Sequence, residues 1–369
     1  MEKLGTTAPT PPAPRPLRLS VIVPVRNGED VLARSLPALR ASDFPAEEWE
    51  LIVVDDGSAD GSAGRAAAYA DAVLRLPVPR GAAAARNRGT EQARGPVLVF
   101  VDADVCIHPD VLRRFAEILA SGSGIAAVFG AYDTAPPAPG LVSQYRNLLH
   151  HYVHAQSPGD AETFWTGCGA MRREVFAELG GFDETMPQLE DVELGYRARA
   201  LGHRIVLRPE IQGTHLKRWT FGSMVITDLF GRGLTWMRLH LRERGSGRPG
   251  TLNLRPLEKL YTGLTAVAAC ALATASVRGE AEWLFVAGAC LLLVLIGNAS
   301  LLRWFARERG IWFALCVIPL RLLYYGLNGV AAALGWLQHV WQSSPAGPAP
   351  RAVPETREPP GEPPQISRG

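Results

Sequence analysis

The sequence predicts an α/β domain with a mostly parallel central sheet, followed by a C-terminal helical membrane region. Three observations carry this. Apolar, β-branched runs alternate with Ala- and Leu-rich segments of helical spacing from Leu19 to Leu207, the pattern of strand–helix–strand units. Pairs of acids close two of the strand-like runs, and open α/β sheets bind ligands beyond the carboxyl ends of their strands. From Leu260 onward come three apolar runs, each near the ~20 residues that cross a bilayer as a helix.

The elements follow in order. "LRLSVIVPVRNG" is a strand that runs into a loop at Pro24, Asn27 and Gly28. "VLARSLPALRAS" has the Leu and Ala spacing of a helix. "WELIVVDDGSADGS" is a second strand, closed by Asp55, Asp56, Gly57 and Ser58. "AGRAAAYA" and "GAAAARNRGTEQARG" are helices, and "PVLVFVDADV" is a strand that ends in Asp102 and Asp104. "DVLRRFAEILASG" is a helix and "IAAVFGAYD" a strand. No G-x-G-x-x-G follows the first strand, which weakens a dinucleotide-binding reading.

The expected organisation is a Pro-rich disordered leader at 1–16, a catalytic domain at 17–240 and a basic interfacial linker at 241–259. About three membrane helices follow at 260–340, then a Pro-rich disordered tail at 341–369. The leader lacks the continuous apolar stretch of a signal peptide. A net charge of +2 gives no global field for nucleic acid. Five scattered cysteines form no C-x-x-C pair, so neither a zinc knuckle nor a disulfide framework is expected. The apolar runs are Leu260–Val277, Trp283–Leu302 and Ile311–Leu337. The second fits a span best, and the third, with Pro319 and Arg321, is expected to be kinked or re-entrant. Arg238, Arg242, Arg244, Arg248, Arg255 and Lys259 precede the first run, and Arg303, Arg307 and Arg309 separate the second from the third. Positive residues stay on the cytoplasmic side, which places the catalytic domain in the cytoplasm at a plasma or inner membrane.

The acids carry the chemistry. Asp102 and Asp104 repel one another unless a cation sits beside them, and hard carboxylate ligands suit Mg²⁺ or Mn²⁺, which also bind phosphate oxygens. A helix cap or an exposed turn is the plain alternative. Asp55 and Asp56 either shape an Asp-Gly turn or offer a carboxylate to the N–H of a nucleobase. Glu190 and Asp191 open an amphipathic helix, where acids complement the helix dipole; the sharper reading makes Asp191 a general base for an acceptor hydroxyl. Thr166, Gly167, Cys168 and Gly169 read as a loop whose glycines let backbone approach a ligand. His150 and His154 lie one turn apart on a helix expected to be solvated or to face the acceptor, since zinc would need further ligands. The segment from Arg218 to Arg242 mixes aromatic and basic residues, which suits a lipid interface.

Taken in order, "SVIVPVRNG", "VVDDGSADGS", "GAAAARNRG", "VFVDADV", "TGCGAMRREVFAELGGFDE" and "LEDVELGYRARALG" resemble the family 2 glycosyltransferases of GT-A fold, over Leu19 to Leu207. The resemblance implies an inverting, hexosyltransferase-type transfer from a nucleotide-diphospho-sugar, with UDP favoured. It implies that Pro24, Asp55, Asp56 and Asp102 meet the donor nucleotide, that Asp104 is the main metal ligand with Asp102 assisting, and that Asp191 is the base. Polysaccharide synthases of the family carry Q-x-x-R-W, whereas "HLKRW" has His215 in the Gln place and keeps Arg218 and Trp219. That departure points to single sugar addition, with His215 at the metal or the diphosphate. The acceptor is expected to offer a hydroxyl or a phosphate, on a lipid-linked or saccharide molecule. A metal-dependent nucleotidyltransferase and a non-catalytic membrane scaffold are the competing readings.

Overall fold

The computed structural model describes residues 17–120, 124–242 and 256–343. The expected leader, most of the linker and nearly all of the tail lie outside the described residues.

The chain begins with β1 (Leu19–Val25), α1 (Glu29–Arg40), β2 (Trp49–Asp55), α2 (Ser62–Ala67), β3 (Ala72–Arg75), α3 (Ala82–Gln92) and β4 (Val97–Val101). These strands pair in parallel in the order β3-β2-β1-β4. Both faces of this sheet are covered, so β1 and β2 are almost continuously apolar and buried. Then come β5 (Val105–Ile107), α4 (Val111–Ala120), β6 (Ile125–Tyr132), α5 (Leu141–Ala155), β7 (Gly159–Ala161), β8 (Cys168–Arg172), α6 (Arg173–Glu178), α7 (Glu190–Ala200) and β9 (Arg204–His215). Here the sheet becomes mixed. β8 is antiparallel to β4 and β6, β6 and β9 are parallel, and β5 and β7 are antiparallel to β9. The fold is the α/β, GT-A-like one that the sequence predicts, with its parallel pairing concentrated in the first half.

Two registers place the site. β4 ends at Val101, immediately before Asp102 and Asp104, and Val105 of β5 pairs with His215 of β9. The Leu216 N–H then donates to the Asp104 carbonyl at 2.8 Å. The sheet thus brings residues more than a hundred positions apart to one rim.

After the sheet come α8 (Phe221–Ile226), a π-helical turn (Thr227–Gly233) and α9 (Leu234–Arg242). The C-terminal region holds α10 (Pro256–Arg278), α11 (Glu282–Gly297), α12 (Ala299–Arg309) and α13 (Ile311–Ser343). Two of these, α10 and α13, are long and apolar enough to cross a membrane, and α11 with α12 is bent by 60°. The bend falls in the apolar run expected to span best. Asn298 leaves the helical conformation there. Its amide donates to the Val294 carbonyl and its oxygen accepts from Arg321 and Tyr325. The third run, expected to be kinked or re-entrant, is one helix of 33 residues with Pro319 inside it. Helices of this apolar kind tolerate an internal proline when neighbours re-satisfy the freed backbone.

Candidate active site

A cavity of about 1170 Å³ opens on the rim of the sheet and extends to the C-terminal helices. Pro24, Asp56, Arg86, Asp102, Asp104, Thr166, Glu190, Asp191, His215 and Trp219 line it. Most of the residues singled out in the sequence therefore share one cleft.

Asp104 and His215 face each other across the β5–β9 register, with His215 Nε2 3.3 Å from Asp104 Oδ2. The other ring nitrogen, Nδ1, lies 2.6 Å from Asn147 Oδ1. Asn147 Nδ2 donates to the Lys217 carbonyl at 3.3 Å, which fixes the amide's orientation. Nδ1 must then carry the proton, and the Nε2 lone pair points at a carboxylate oxygen. Two acceptors so placed call for a proton or a cation between them. Burial opposes ionisation of Asp104, yet the His215 bond and the charges of His215 and Lys217 hold its carboxyl below the ordinary range. Among the described residues no three His, Cys, Asp or Glu side chains form a metal cluster. The carboxylate with the imidazole nevertheless fits Mn²⁺, and the carboxylate alone suits Mg²⁺; such ions complete their shells with water and substrate phosphate.

Asp102 has a different partner. Arg86 of α3 donates to it at 2.7 Å and to Glu190 at 2.5 Å. The guanidinium is only 5% exposed. Despite that burial, Asp102 and Glu190 hold it above its ordinary pKa. An arginine flanked by two acids satisfies the buried-charge requirement and ties the end of β4 to the start of α7. Arg86 received no role from the sequence. "GAAAARNRG" shows an arginine on an Ala-rich helix, but nothing in the sequence reveals its two partners.

Asp191 sits in the first turn of α7. Its Oδ2 accepts from the Thr166 N–H at 3.2 Å and the Thr166 hydroxyl at 3.3 Å, and its Oδ1 from the Val192 N–H at 2.8 Å. Burial and the adjacent Glu190 push its carboxyl up to about 6, against the pull of Arg86. The residue before this pair, Leu189, has φ 67°. A left-handed leucine is strained, and such strain concentrates at functional sites.

Several expected positions take other tasks. Asp55 is fully buried and lies outside the cavity lining. It accepts from the Ser58 N–H at 2.9 Å and lies 3.3 Å from Arg75, so it shapes the turn. Asp56 lines the cavity, while its carboxylate accepts from the Arg80 and Gly81 N–H groups. Of residues 166–169, expected to form a loop, Cys168 and Gly169 belong to β8, and only Thr166 lines the cavity. A Cβ on Gly167 would meet the Trp165 ring at 2.3 Å, and one on Gly169 the Trp165 carbonyl at 2.3 Å. These glycines make room for Trp165 rather than for a ligand, and Cys168 is core. Arg218 is exposed and lies off the cavity lining. Trp219 lines the cavity and carries Lys217 over its ring at 4.2 Å.

On α5, His150 is half-buried and lines the cavity together with His154. His154 is buried and bonds the Gly130 carbonyl at 3.0 Å. Burial and His154 hold His150 well below the usual imidazole range. Both rings pack with Trp165. Tyr132 stacks on His215 at 4.1 Å with 6° between the planes, so the imidazole is fixed by ring contact as well as by Asn147.

The site can now be set beside known proteins. Residues 20–180 match the family model described as glycosyl transferase family 2. The protein carries a family 2 glycosyltransferase domain. Its enzymatic class is glycosyl transfer. Glycosyltransferase AglE of Haloferax volcanii is 28% identical over 234 residues, covering 61% of this chain and 76% of AglE. Pre-mycofactocin glycosyltransferase of Mycobacterium tuberculosis is 28% identical over 330 residues, covering 83% of this chain and 64% of that protein. Validoxylamine A glucosyltransferase of Streptomyces hygroscopicus is 29% identical over 230 residues, and the chain spans about half of its length. Among solved structures, the mannosyltransferase PcManGT of Pyrobaculum calidifontis, in complex with GDP-Man and Mn²⁺, superposes with a TM-score of 0.56 at 19% identity. That match covers 93% of this chain and 92% of PcManGT, a likeness of fold.

Proposed function

We propose that this glycosyltransferase inverts the anomeric centre of a nucleotide-diphospho-sugar, UDP-linked by preference, and that it acts at the cytoplasmic face of a membrane on a lipid-linked acceptor. The observation that carries the reading is Asp191: a half-buried carboxylate raised to about 6 and oriented by Thr166, in the same cleft as Asp104 and His215. Catalysis favours a base whose pKa lies near the working pH.

Asp191 removes the proton of the acceptor hydroxyl as that oxygen attacks the anomeric carbon. The bond to the diphosphate oxygen breaks with its electron pair, the nucleoside diphosphate leaves and Asp191 keeps the proton. One displacement inverts the centre and needs no covalent enzyme intermediate. Asp104 and His215 would hold Mg²⁺ or Mn²⁺, which when bound neutralises charge on the leaving diphosphate. Pro24 and Asp56 line the nucleotide end of the cleft, and Arg86 keeps Asp102 and Glu190 in place. The domain is taken to span 17–240. Helices α10 and α13, with the bent α11–α12 pair as a further span or re-entrant element, would anchor it in a multi-pass arrangement.

The test is a screen of UDP- and GDP-sugars on detergent-purified protein with Mn²⁺ or Mg²⁺, read by thermal shift and by slow donor hydrolysis. One nucleotide should stabilise the protein, Asp104→Asn should lose that response, and Asp191→Asn should keep it while losing transfer. No nucleotide response in folded protein, with either metal, would sink the reading.

A further inference from the structure

Past Asp191 the cleft runs toward α10 and α13, and cations come to dominate its wall. Arg146, Lys217, Arg232, Lys259 and Arg321 all line the cavity. Two of them are already committed: Arg146 pairs with Asp228 at 2.8 Å, and Arg321 pairs with Glu258 at 2.8 Å. Arg232 is different. Among the described residues no acid forms an ion pair with it, and Arg146 is among its near charges. Its side chain is open to the cavity while protein surrounds it at longer range, and burial followed by Arg146 lowers its pKa. An exposed guanidinium with no acid paired to it, on a wall of other cations, is placed to take an anion that enters the cavity.

The position is built by the backbone. Arg232 lies in the π-helical turn Thr227–Gly233, between two glycines. A Cβ on Gly231 would meet the Gln188 amide at 2.7 Å, and one on Gly233 would meet Ala331 of α13 at 2.6 Å. The turn is therefore pressed between the loop that leads to Glu190 and Asp191 and a helix long enough to span a membrane. π-helical insertions recur at functional sites.

The cations divide by neighbourhood. Lys217 lies in the field of Asp104, Arg232 and Asp102, toward the proposed diphosphate end. Arg232 has Asp228, Tyr132 and Asp191 as its anionic or ionisable neighbours, and its turn packs against Gln188 in the loop that leads to Asp191.

We propose that Arg232 recognises a phosphate group on the acceptor, next to the hydroxyl that Asp191 deprotonates, with the acceptor entering from the α10 and α13 side. Lys259, on α10, lies along that entrance. The inference rests on Asp191 acting as the base of the proposed transferase. A planar, forked guanidinium suits bidentate contact with phosphate.

The experiment is equilibrium binding to the full chain in detergent, with farnesyl phosphate, farnesol, glycerol phosphate and inorganic phosphate as probes. UDP and GDP with Mn²⁺ are titrated alongside. Farnesyl phosphate should bind and farnesol should not. Arg232→Gln should weaken the phosphate probe at least about ten-fold, the scale of one charge-assisted hydrogen bond, while nucleotide affinity stays within about two-fold. Farnesyl phosphate binding far more tightly than glycerol phosphate assigns the phosphate to a lipid; equal affinities assign it to a soluble phosphate. Arg232→Lys keeps the charge and loses the fork. It should give intermediate affinity, and it decides the matter if the Gln variant does not fold. Unchanged farnesyl phosphate binding in both variants overturns the proposal. So does loss of nucleotide affinity with phosphate binding intact, which would move Arg232 to the donor. Nucleotide binding in wild type without any phosphate binding defeats this inference alone; no nucleotide response defeats the transferase reading beneath it.

Discussion

His215 presents Nε2 to the Asp104 carboxylate at 3.3 Å while Asn147 accepts from the opposite ring nitrogen at 2.6 Å. The amide thereby chooses the tautomer. Residues that orient a ligating imidazole from behind affect metal affinity nearly as much as the ligand itself. Asn147→Leu should weaken Mn²⁺-dependent nucleotide binding by about ten-fold or more. Calorimetry of nucleotide with and without Mn²⁺ checks this. Unchanged Mn²⁺ dependence in the variant would remove the cation from this pair.

Asp191 sets the pH behaviour. A base must be ionised to accept a proton, so kcat/KM should fall as pH drops through about 6, where burial and Glu190 place its titration. The sign for stability is opposite. A carboxyl raised in the folded state contributes stability that is complete below its unfolded pKa of about 3.9 and is lost as pH rises through about 6. The same carboxylate that gives activity at neutral pH thus costs stability there. A pH–rate profile with its acidic limb near 4 would contradict the assignment.

Arg86 gives a third expectation. Removing one member of a buried ion pair leaves uncompensated charge and costs about 3–5 kcal/mol. Arg86→Met should therefore lower the thermal midpoint sharply, with Asp102 and Glu190 left facing each other. It should also carry Asp191 further up, since Arg86 pulls that carboxyl down, so the acidic limb of the pH profile should move to higher pH in whatever fraction stays folded. A midpoint within a degree or two of wild type would mean that the cluster is not closed in solution.

Strand ends and helix starts were readable because each is a local pattern. Apolar runs located β1, β2, β4 and β6, and Asp56, Asp102 and Asp104 fell on one rim because α/β topology puts strand ends there. What the sequence concealed depends on distant partners. Arg86 acquires its role from residues 16 and 104 positions away. Gly167 and Gly169 looked like ligand-facing glycines, but they clear space for Trp165, which spacing cannot reveal. The apolar runs were counted correctly as hydrophobic stretches. Hydropathy does not register that Asn298 turns a helix by bonding Arg321 and Tyr325 across the bundle.

One glycine was hidden for the same reason, and it holds the proposed base, Asp191, in place. Gly195 lies one helical turn after Asp191 on α7, so both face the segment 163–166. Asp191 bonds Thr166 there, and a Cβ on Gly195 would stand 2.4 Å from the Phe164 backbone nitrogen and 2.7 Å from Thr163. The obstacle is backbone, which cannot rotate away as a side chain can. Gly195→Ala must push α7 off this segment at a cost of about 1–3 kcal/mol, the usual range for overpacking. Asp191 moves with the helix, and a displacement near ~1 Å at a reacting group lowers turnover on the order of a hundred-fold. The nucleotide end of the cleft is built from β1, β2 and β4, so donor affinity should stay within about two-fold. A large fall in kcat with little change in nucleotide binding is the expected signature, measured by transfer assay and nucleotide titration on the same preparation. Equal losses in both would mean that α7 carries the donor as well as the base.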